Sequence, residues 1–303
     1  MRLPDFLIIG ASKSGTTTLY EYLCRHPQIY MSTPKEPEFF ASVNDENYAK
    51  GINWYASLFS QADPHQVCGE ASGRYTNWPQ FPQAAERVAQ LLPHAKLIYI
   101  MRHPVDRAYS LYAQIVKYSQ LRQPQSKVKK TFEQSIEPGS YSLPGSYLLD
   151  SGDYMKQIEQ YLRFFPRESF LFLLMEDLAQ RPAETLSKVC NFIGVDDEIN
   201  LIQDDSIAAN QASHHAEWFV RSRITAPLKA IPGVASAANW LPQGARDRAY
   251  QILKRLPYKQ QIEKQYLPPP MLPETRQMLL ERFHEPNQRL AEFLNRDLSH
   301  WSQ

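Results

Sequence analysis

The chain has 303 residues, of which 43% are hydrophobic and 12% aromatic, and its formal net charge is +1 at pH 7. That length and apolar content can bury a full core, either as one large domain or as one domain with a cap. The nearly neutral charge gives no reason to expect a nucleic acid or an anionic membrane as a bulk partner. Three cysteines are an odd number, which argues against a disulfide scaffold and favours a reducing compartment.

The first informative stretch covers residues 6–21, FLIIGASKSGTTTLYE. A short apolar run, typical of a buried parallel strand, is followed by small polar residues and then by apolar residues at helical spacing. This order predicts several backbone N–H groups and the positive end of a helix dipole around one point, which suits a phosphate or a sulfate. The residues expected around that point are Lys13, Ser14, Gly15, Thr16 and Thr17.

This loop differs from a Walker A loop, in which a lysine follows the last glycine and directly precedes the magnesium-binding Ser or Thr. Here Thr16 follows Gly15, and Lys13 lies ahead of the glycine. The difference lowers the odds of ATP chemistry and leaves anion binding intact. The alternative is an ordinary strand-to-helix turn that binds nothing.

The second informative stretch covers residues 96–117, KLIYIMRHPVDRAYSLYAQIVK. An apolar strand is followed directly by Arg102, and Pro104 can occupy the first turn of a helix whose apolar stripe excludes Ser110. Ligands of open α/β sheets bind beyond the carboxyl ends of the strands, so Lys13 and Arg102 are expected at the same edge. The alternatives are a structural salt bridge for Arg102 and a solvated helix position for Ser110.

Together the two stretches resemble the PAPS-dependent sulfotransferases. Three segments that lie between the two stretches resemble the glycan-sulfating branch of that family, which includes the heparan sulfate enzymes: the FF pair, NYAKGINWYASLF and GEASGRY. The resemblance implies an α/β, P-loop-like three-layer fold with a central parallel sheet flanked by helices. It also implies that the first loop binds the 5′-phosphosulfate of PAPS and that Arg102 and Ser110 bind its 3′-phosphate. PAP would be the product, and no metal would be bound.

The resemblance further implies a general base. In VCGEASGRY, Glu70 matches the glutamate proposed as base in the heparan-type enzymes, although Ala71 stands where they have lysine. Glu36 is the second choice, because its loop is implied to border the acceptor cleft. The alternatives are a surface carboxylate for Glu70 and a solvated charge for Glu36. Arg74 is expected to pair with Glu70 or to contact an anionic acceptor.

One sulfotransferase domain is predicted over residues 1–303, with a flap at 119–145 and a variable lid or acceptor-binding insertion at 225–270. The alternative for the basic flap is a solvated surface. Arg221 and Arg223 are implied to reach the 3′-phosphate. The adjacent histidines at 214–215 lack the ligand spacing of a zinc site, so no metal is predicted.

The sequence therefore predicts transfer of a sulfuryl group from PAPS to a hydroxyl, or to an amine, of a carbohydrate or natural-product acceptor. Two alternatives are a P-loop kinase or NTPase that uses Mg-ATP, and a non-catalytic protein that binds PAP. The acceptor would be a small molecule or a glycan, with no nucleic acid partner; its identity and the oligomeric state are not predicted. With no signal peptide and no long apolar span, a cytoplasmic enzyme is expected.

Overall fold

The structure is a computed structural model that describes residues 1–122, 130–140, 145–202 and 268–303. Its five strands are β1 Phe6–Gly10, β2 Ile29–Met31, β3 Val67–Ala71, β4 Lys96–Met101 and β5 Phe170–Leu174. Its helices are α1 Thr16–Leu23, α2 Gly51–Ser57, α3 Ala84–Leu91, α4 Pro104–Arg122, α5 Phe132–Ser135, α6 Tyr154–Leu162, α7 Met175–Gln180, α8 Pro182–Ile193 and α9 Pro273–Leu294.

The strands form one parallel sheet in the order β2-β3-β1-β4-β5. Ile8 in the central strand is in register with Ala71 on one side and with Ile98 on the other. Every residue of β1 is buried, as expected for a sheet with helices on both faces, and this explains why its sequence is an apolar run without alternation. The predicted α/β fold with a central parallel sheet is confirmed.

An aromatic cluster fills the core beside β3. Tyr55 of α2 stacks on Phe39 with ring centroids 4.3 Å apart, and it meets Phe40 and Phe59 edge to face at 5.4 and 5.6 Å. Phe40 also meets Tyr75 edge to face at 5.4 Å. These buried rings fix the chain segment that follows β2 against the carboxyl end of β3.

Most described residues belong to one compact unit, made of residues 1–114, 130–204 and 270–303. A second unit comprises residues 115–129 and 205–269, most of which lie outside the described residues. The predicted lid at 225–270 falls almost wholly outside them, and the predicted flap at 119–145 falls there in part. The single domain, the flap and the lid therefore stay predictions.

α6 begins at Tyr154, because the Asp153 side chain accepts the Lys156 N–H at 3.2 Å and starts the helix there. Glu176 lies in the first turn of α7. The long helix α9 continues through Pro286.

Among the described residues, no helix has both the length and the apolar composition that crossing a bilayer requires. Cys24, Cys68 and Cys190 are free thiols.

Candidate active site at the carboxyl edge of the sheet

Four chain segments that follow neighbouring strands lie side by side at the carboxyl edge of the sheet. Since adjacent parallel strands are about 4.8 Å apart, the order of the strands sets the order of these segments. The loop with Glu36 follows β2, the turn with Arg74 follows β3, the loop with Lys13 follows β1, and Arg102 follows β4. The predicted anion loop is thus central, with Arg102 on one side and the glutamates on the other.

The loop between β1 and α1 is held by backbone hydrogen bonds and by left-handed backbone conformations. The Ala11 N–H donates to the Ile100 carbonyl of β4 at 2.7 Å, which ties the loop to the neighbouring strand. Gly15, at φ 91°, is the N-cap of α1 and has no side chain to cap the helix. The first N–H groups of a helix have no intrahelical partners, so this end of α1 can donate to an anion.

The polar side chains of this loop differ in exposure. Ser14 is fully buried, and its Oγ makes no hydrogen bond within the part of the chain that the structure describes. Thr16 is buried, whereas Lys13 and Thr17 are half-buried. A buried hydroxyl without a partner is costly, and an oxyanion bound in this loop would satisfy it. The loop therefore fits a phosphate or a phosphosulfate.

Gly73 allows the turn after β3 to approach this loop closely. A Cβ atom added at Gly73 would lie 2.6 Å from Ser12 Oγ and 3.1 Å from Ser12 Cα, so a larger residue would push the two segments apart. The anion loop and the turn that carries Arg74 are consequently in direct contact.

Arg102 is fixed through its backbone. The Tyr154 hydroxyl donates to the Arg102 carbonyl at 2.5 Å and accepts the Arg102 N–H at 3.3 Å. The Arg102 side chain is half-buried and forms no ion pair with the other described residues, so the alternative of a structural salt bridge finds no support there. Ser110 is half-buried on α4, two turns further along the chain.

Glu70 is fully buried, so the alternative of a surface carboxylate is wrong. Its Oε2 accepts hydrogen bonds from the Tyr55 hydroxyl and, at 3.1 Å, from the Tyr75 hydroxyl. Burial raises the pKa of Glu70, and hydrogen bonds from neighbouring hydroxyls oppose that shift. The expected pairing of Arg74 with Glu70 is also wrong, because the Arg74 guanidinium pairs with Glu38 at 2.6 Å.

The segment after β2 runs along the end of β3, where the Glu36 N–H donates to the Ala71 carbonyl at 3.1 Å. The Glu36 carboxylate is 47% exposed and pairs with Lys35 at 2.7 Å, so it is accessible without being a lone solvated charge. Glu38, which was not among the predicted site residues, belongs to the same segment, and its backbone N–H donates to Ser72 Oγ at 3.0 Å. Its position close to Glu36 and directly before the FF pair was the signal in the sequence that could have identified it.

Burial raises the pKa of Glu38 from 4.5 to about 7, although Arg74 opposes the shift. Between these two values the folded protein keeps a proton that the unfolded chain has released, so the contribution of Glu38 to stability is lost as the pH rises.

We expect the free energy of unfolding of the wild type to fall by about 2 kcal/mol more between pH 5 and 8 than that of Glu38→Gln. Urea unfolding at both pH values checks this. Glu46→Gln, an exposed control in the same segment, should behave like the wild type, and parallel pH curves for Glu38→Gln and the wild type would contradict the prediction.

Arg221, Arg223 and the histidines at 214–215 lie outside the described residues. The residues that are described contain no group of three or more His, Cys, Asp or Glu side chains placed to hold a metal ion. A cleft of about 570 Å³ opens at the opposite, amino edge of the sheet, beside Asp5 and Lys96, and none of the predicted site residues lines it.

A parallel α/β sheet with a loop suited to an anion after its central strand, and with an arginine at the tip of the next strand, is typical of the phosphate- or nucleotide-binding class of proteins. Comparison with known families identifies the family within this class. A family model described as a sulfotransferase domain matches residues 3–225. The chain therefore belongs to the sulfotransferase family, as its sequence predicted, and this is the family of enzymes that use PAPS as the sulfuryl donor.

Among its relatives are heparan sulfate enzymes. The human bifunctional heparan sulfate N-deacetylase/N-sulfotransferase 3 is 33% identical over 226 residues, which cover 72% of this chain and 25% of that protein. The mouse heparan sulfate glucosamine 3-O-sulfotransferase 5 is 32% identical over 201 residues, which cover 66% of this chain and 56% of that protein. The chain thus spans about a quarter of the length of the first relative and over half of the second.

Among solved structures, a sulfotransferase from Alicyclobacillus acidocaldarius matches with a TM-score of 0.66 and 24% identity, and the match covers 100% of both chains. This similarity supports the fold.

Proposed function

We propose that this protein transfers the sulfuryl group of PAPS to a hydroxyl, or to an amine, of an acceptor and releases PAP. The observation that carries the proposal is the adjacency of the Lys13 loop and Arg102 at the tips of paired strands, joined by the hydrogen bond from Ala11 to Ile100 at 2.7 Å. PAPS carries anionic groups at the 5′ and 3′ positions of one ribose. Two neighbouring anion-binding groups suit such a donor, and family membership supports it.

The donor would be held at both ends. The 5′-phosphosulfate would be surrounded by Lys13, Ser14, the N–H groups around Gly15, and the hydroxyls of Thr16 and Thr17. At the other end, Arg102 and Ser110 would bind the 3′-phosphate, which distinguishes PAPS from ATP. Arg221 and Arg223 stay proposed further contacts to that phosphate.

The reaction would be an in-line displacement. The acceptor oxygen or nitrogen forms a bond to sulfur while the bond from sulfur to the bridging phosphate oxygen breaks, and PAP leaves with that electron pair. As in phosphoryl transfer, catalysis of this kind depends on positioning and on stabilising charge at the leaving oxygen. Lys13 and the loop N–H groups would supply that stabilisation. The acceptor proton would pass to a carboxylate.

We place Glu36 ahead of Glu70 as that carboxylate, which reverses the order expected from the sequence. A general base must come within hydrogen-bond reach of the proton that it removes. Glu70 is fully buried and its Oε2 is occupied by two tyrosine hydroxyls, whereas Glu36 is 47% exposed at the same edge of the sheet. Glu70 would then hold the tyrosines in place.

For the acceptor we propose a neutral carbohydrate or a small natural product. Among the residues that the structure describes, the acceptor side of the edge carries Glu36, Glu38 and Glu70, and the cations beside them, Lys35 and Arg74, are each paired with a carboxylate. This balance favours a neutral acceptor over a polyanionic chain such as the heparan sulfate named for the relatives. A mass-spectrometric screen with PAPS and matched neutral and sulfated oligosaccharides tests the choice, and transfer to the sulfated set alone would contradict it.

The donor assignment predicts a selective effect of Arg102→Ala. Removing a charge-assisted contact should weaken the binding of 3′,5′-ADP by about 10- to 100-fold and leave 5′-AMP binding nearly unchanged. Isothermal titration with both nucleotides measures this. Arg163→Ala is the control, because Arg163 is the exposed C-cap residue of α6 and contacts Gln160 and Phe164. Unchanged affinity of Arg102→Ala for 3′,5′-ADP would count against the donor.

Thermal shift separates the two alternative functions. A ligand that binds only the folded state raises the unfolding temperature, so 3′,5′-ADP should stabilise the wild type more than Mg-ATP does. The reverse order would indicate a P-loop kinase or NTPase. Stabilisation by 3′,5′-ADP without transfer to any acceptor in the screen would indicate a non-catalytic PAP-binding protein.

A further inference from the structure

Tyr154, the first residue of α6, forms hydrogen bonds with both backbone groups of Arg102, the residue that follows β4. Its hydroxyl donates to the Arg102 carbonyl at 2.5 Å and accepts from the Arg102 N–H at 3.3 Å. Its ring is 1% exposed and packs against Tyr99 and Trp301, each with ring centroids 5.9 Å apart. The position of Arg102 is thus set by a side chain that is itself fixed in the core.

The same hydroxyl lies beside the anion loop. Ser14 of that loop is fully buried, and its side chain lies close to the Tyr154 hydroxyl. Tyr154 therefore stands between the segment that would bind the 5′ end of the donor and the residue that would bind its 3′ end.

We propose that Tyr154 is a positioning residue that holds the Lys13 loop and Arg102 at the separation that one 3′,5′-bisphosphorylated nucleotide requires. The inference rests on the proposed donor. A ligand that is held at two ends gains affinity from the second contact only when both binding groups are already correctly spaced. Loss of the Tyr154 hydroxyl should therefore lower the affinity for the bisphosphorylated nucleotide more than it lowers the affinity for either nucleoside monophosphate.

The test compares Tyr154→Phe with the wild type by isothermal titration of 3′,5′-ADP, 5′-AMP and 3′-AMP. The phenylalanine keeps the ring packing and leaves the Arg102 backbone without its hydroxyl partner. We expect the affinity for 3′,5′-ADP to fall by about 10-fold and that for each monophosphate by less than about 3-fold. Introducing 4-aminophenylalanine at position 154, which retains a donor to the Arg102 carbonyl, should restore most of the ratio.

Tyr161→Phe is the matched control. Tyr161 lies on the same helix, is 1% exposed, and donates its hydroxyl to the Tyr75 carbonyl at 2.9 Å, away from Arg102. Both variants lose a buried hydrogen bond and should unfold at a lower temperature, but only Tyr154→Phe should change the ratio of bisphosphate to monophosphate affinity.

An unchanged ratio in Tyr154→Phe, or an equal change in Tyr161→Phe, would overturn the positioning role while leaving the donor assignment intact. If Tyr154→Phe does not fold, the 4-aminophenylalanine variant decides: a wild-type ratio supports the role, and a ratio near one overturns it. A wild type that binds 3′,5′-ADP no more tightly than 5′-AMP would overturn the proposed donor and this inference with it.

Discussion

Replacing Lys13 with alanine is expected to lower sulfuryl transfer by about 10²–10³-fold while the protein stays folded. Lys13 lies in the central loop of the site, between the segment with Arg102 and the segment with the glutamates. Its ammonium would neutralise charge on the bridging oxygen as PAP leaves, an interaction that is stronger in the transition state than in the ground state. The loss should therefore appear mainly in kcat.

The measurement is transfer to the acceptor identified by the mass-spectrometric screen, together with the affinity for 3′,5′-ADP and the unfolding temperature. Lys13→Arg keeps a cation and should retain part of the rate. Lys188→Ala is the control for loss of a lysine, because Lys188 pairs with Glu184 on the exposed side of α8. Full activity of Lys13→Ala would remove the central element of the proposed mechanism.

Glu36→Gln is expected to lower kcat by about 10²–10⁴-fold and to leave 3′,5′-ADP affinity unchanged, because a general base acts on the acceptor and not on the donor. Glu70→Gln is the matched comparison at the end of β3. A glutamine can still accept hydrogen bonds from Tyr55 and Tyr75, so its main effect should be on the unfolding temperature, with less than about a 10-fold change in rate.

The two glutamates can be ranked by measuring kcat and the unfolding temperature of both variants at one pH. If Glu70→Gln loses the larger rate while Glu36→Gln remains active, the order expected from the sequence is right and the order proposed from the structure is wrong. Glu38→Gln completes the series, because Glu38 is the third carboxylate of the same group.

The sequence predicted the features that depend on local patterning. The apolar runs of β1 and β4 and the residues that follow them were enough to place Lys13 and Arg102 at one edge, because parallel strands end on the same side.

What the sequence did not predict depends on contacts between distant segments. The burial of Glu70 was not predicted, because Tyr55, which occupies its Oε2, comes from a helix packed over the strand. The partner of Arg74 was misjudged because Glu38 lies on a different strand connection. Helical periodicity likewise does not show where a helix begins. The start of α6 is set by a single hydrogen bond, which the Asp153 side chain accepts from the Lys156 N–H.

The strand order has a consequence for how the protein assembles. β1, the middle strand of the sheet, precedes its neighbour β4 by a long stretch of chain, and Lys96 of β4 is in register with Phe6 of β1. Such long-range pairing gives a high contact order, which slows folding. Until β4 emerges, a nascent chain would present an open apolar edge beside β1, a surface that invites aggregation and chaperone binding.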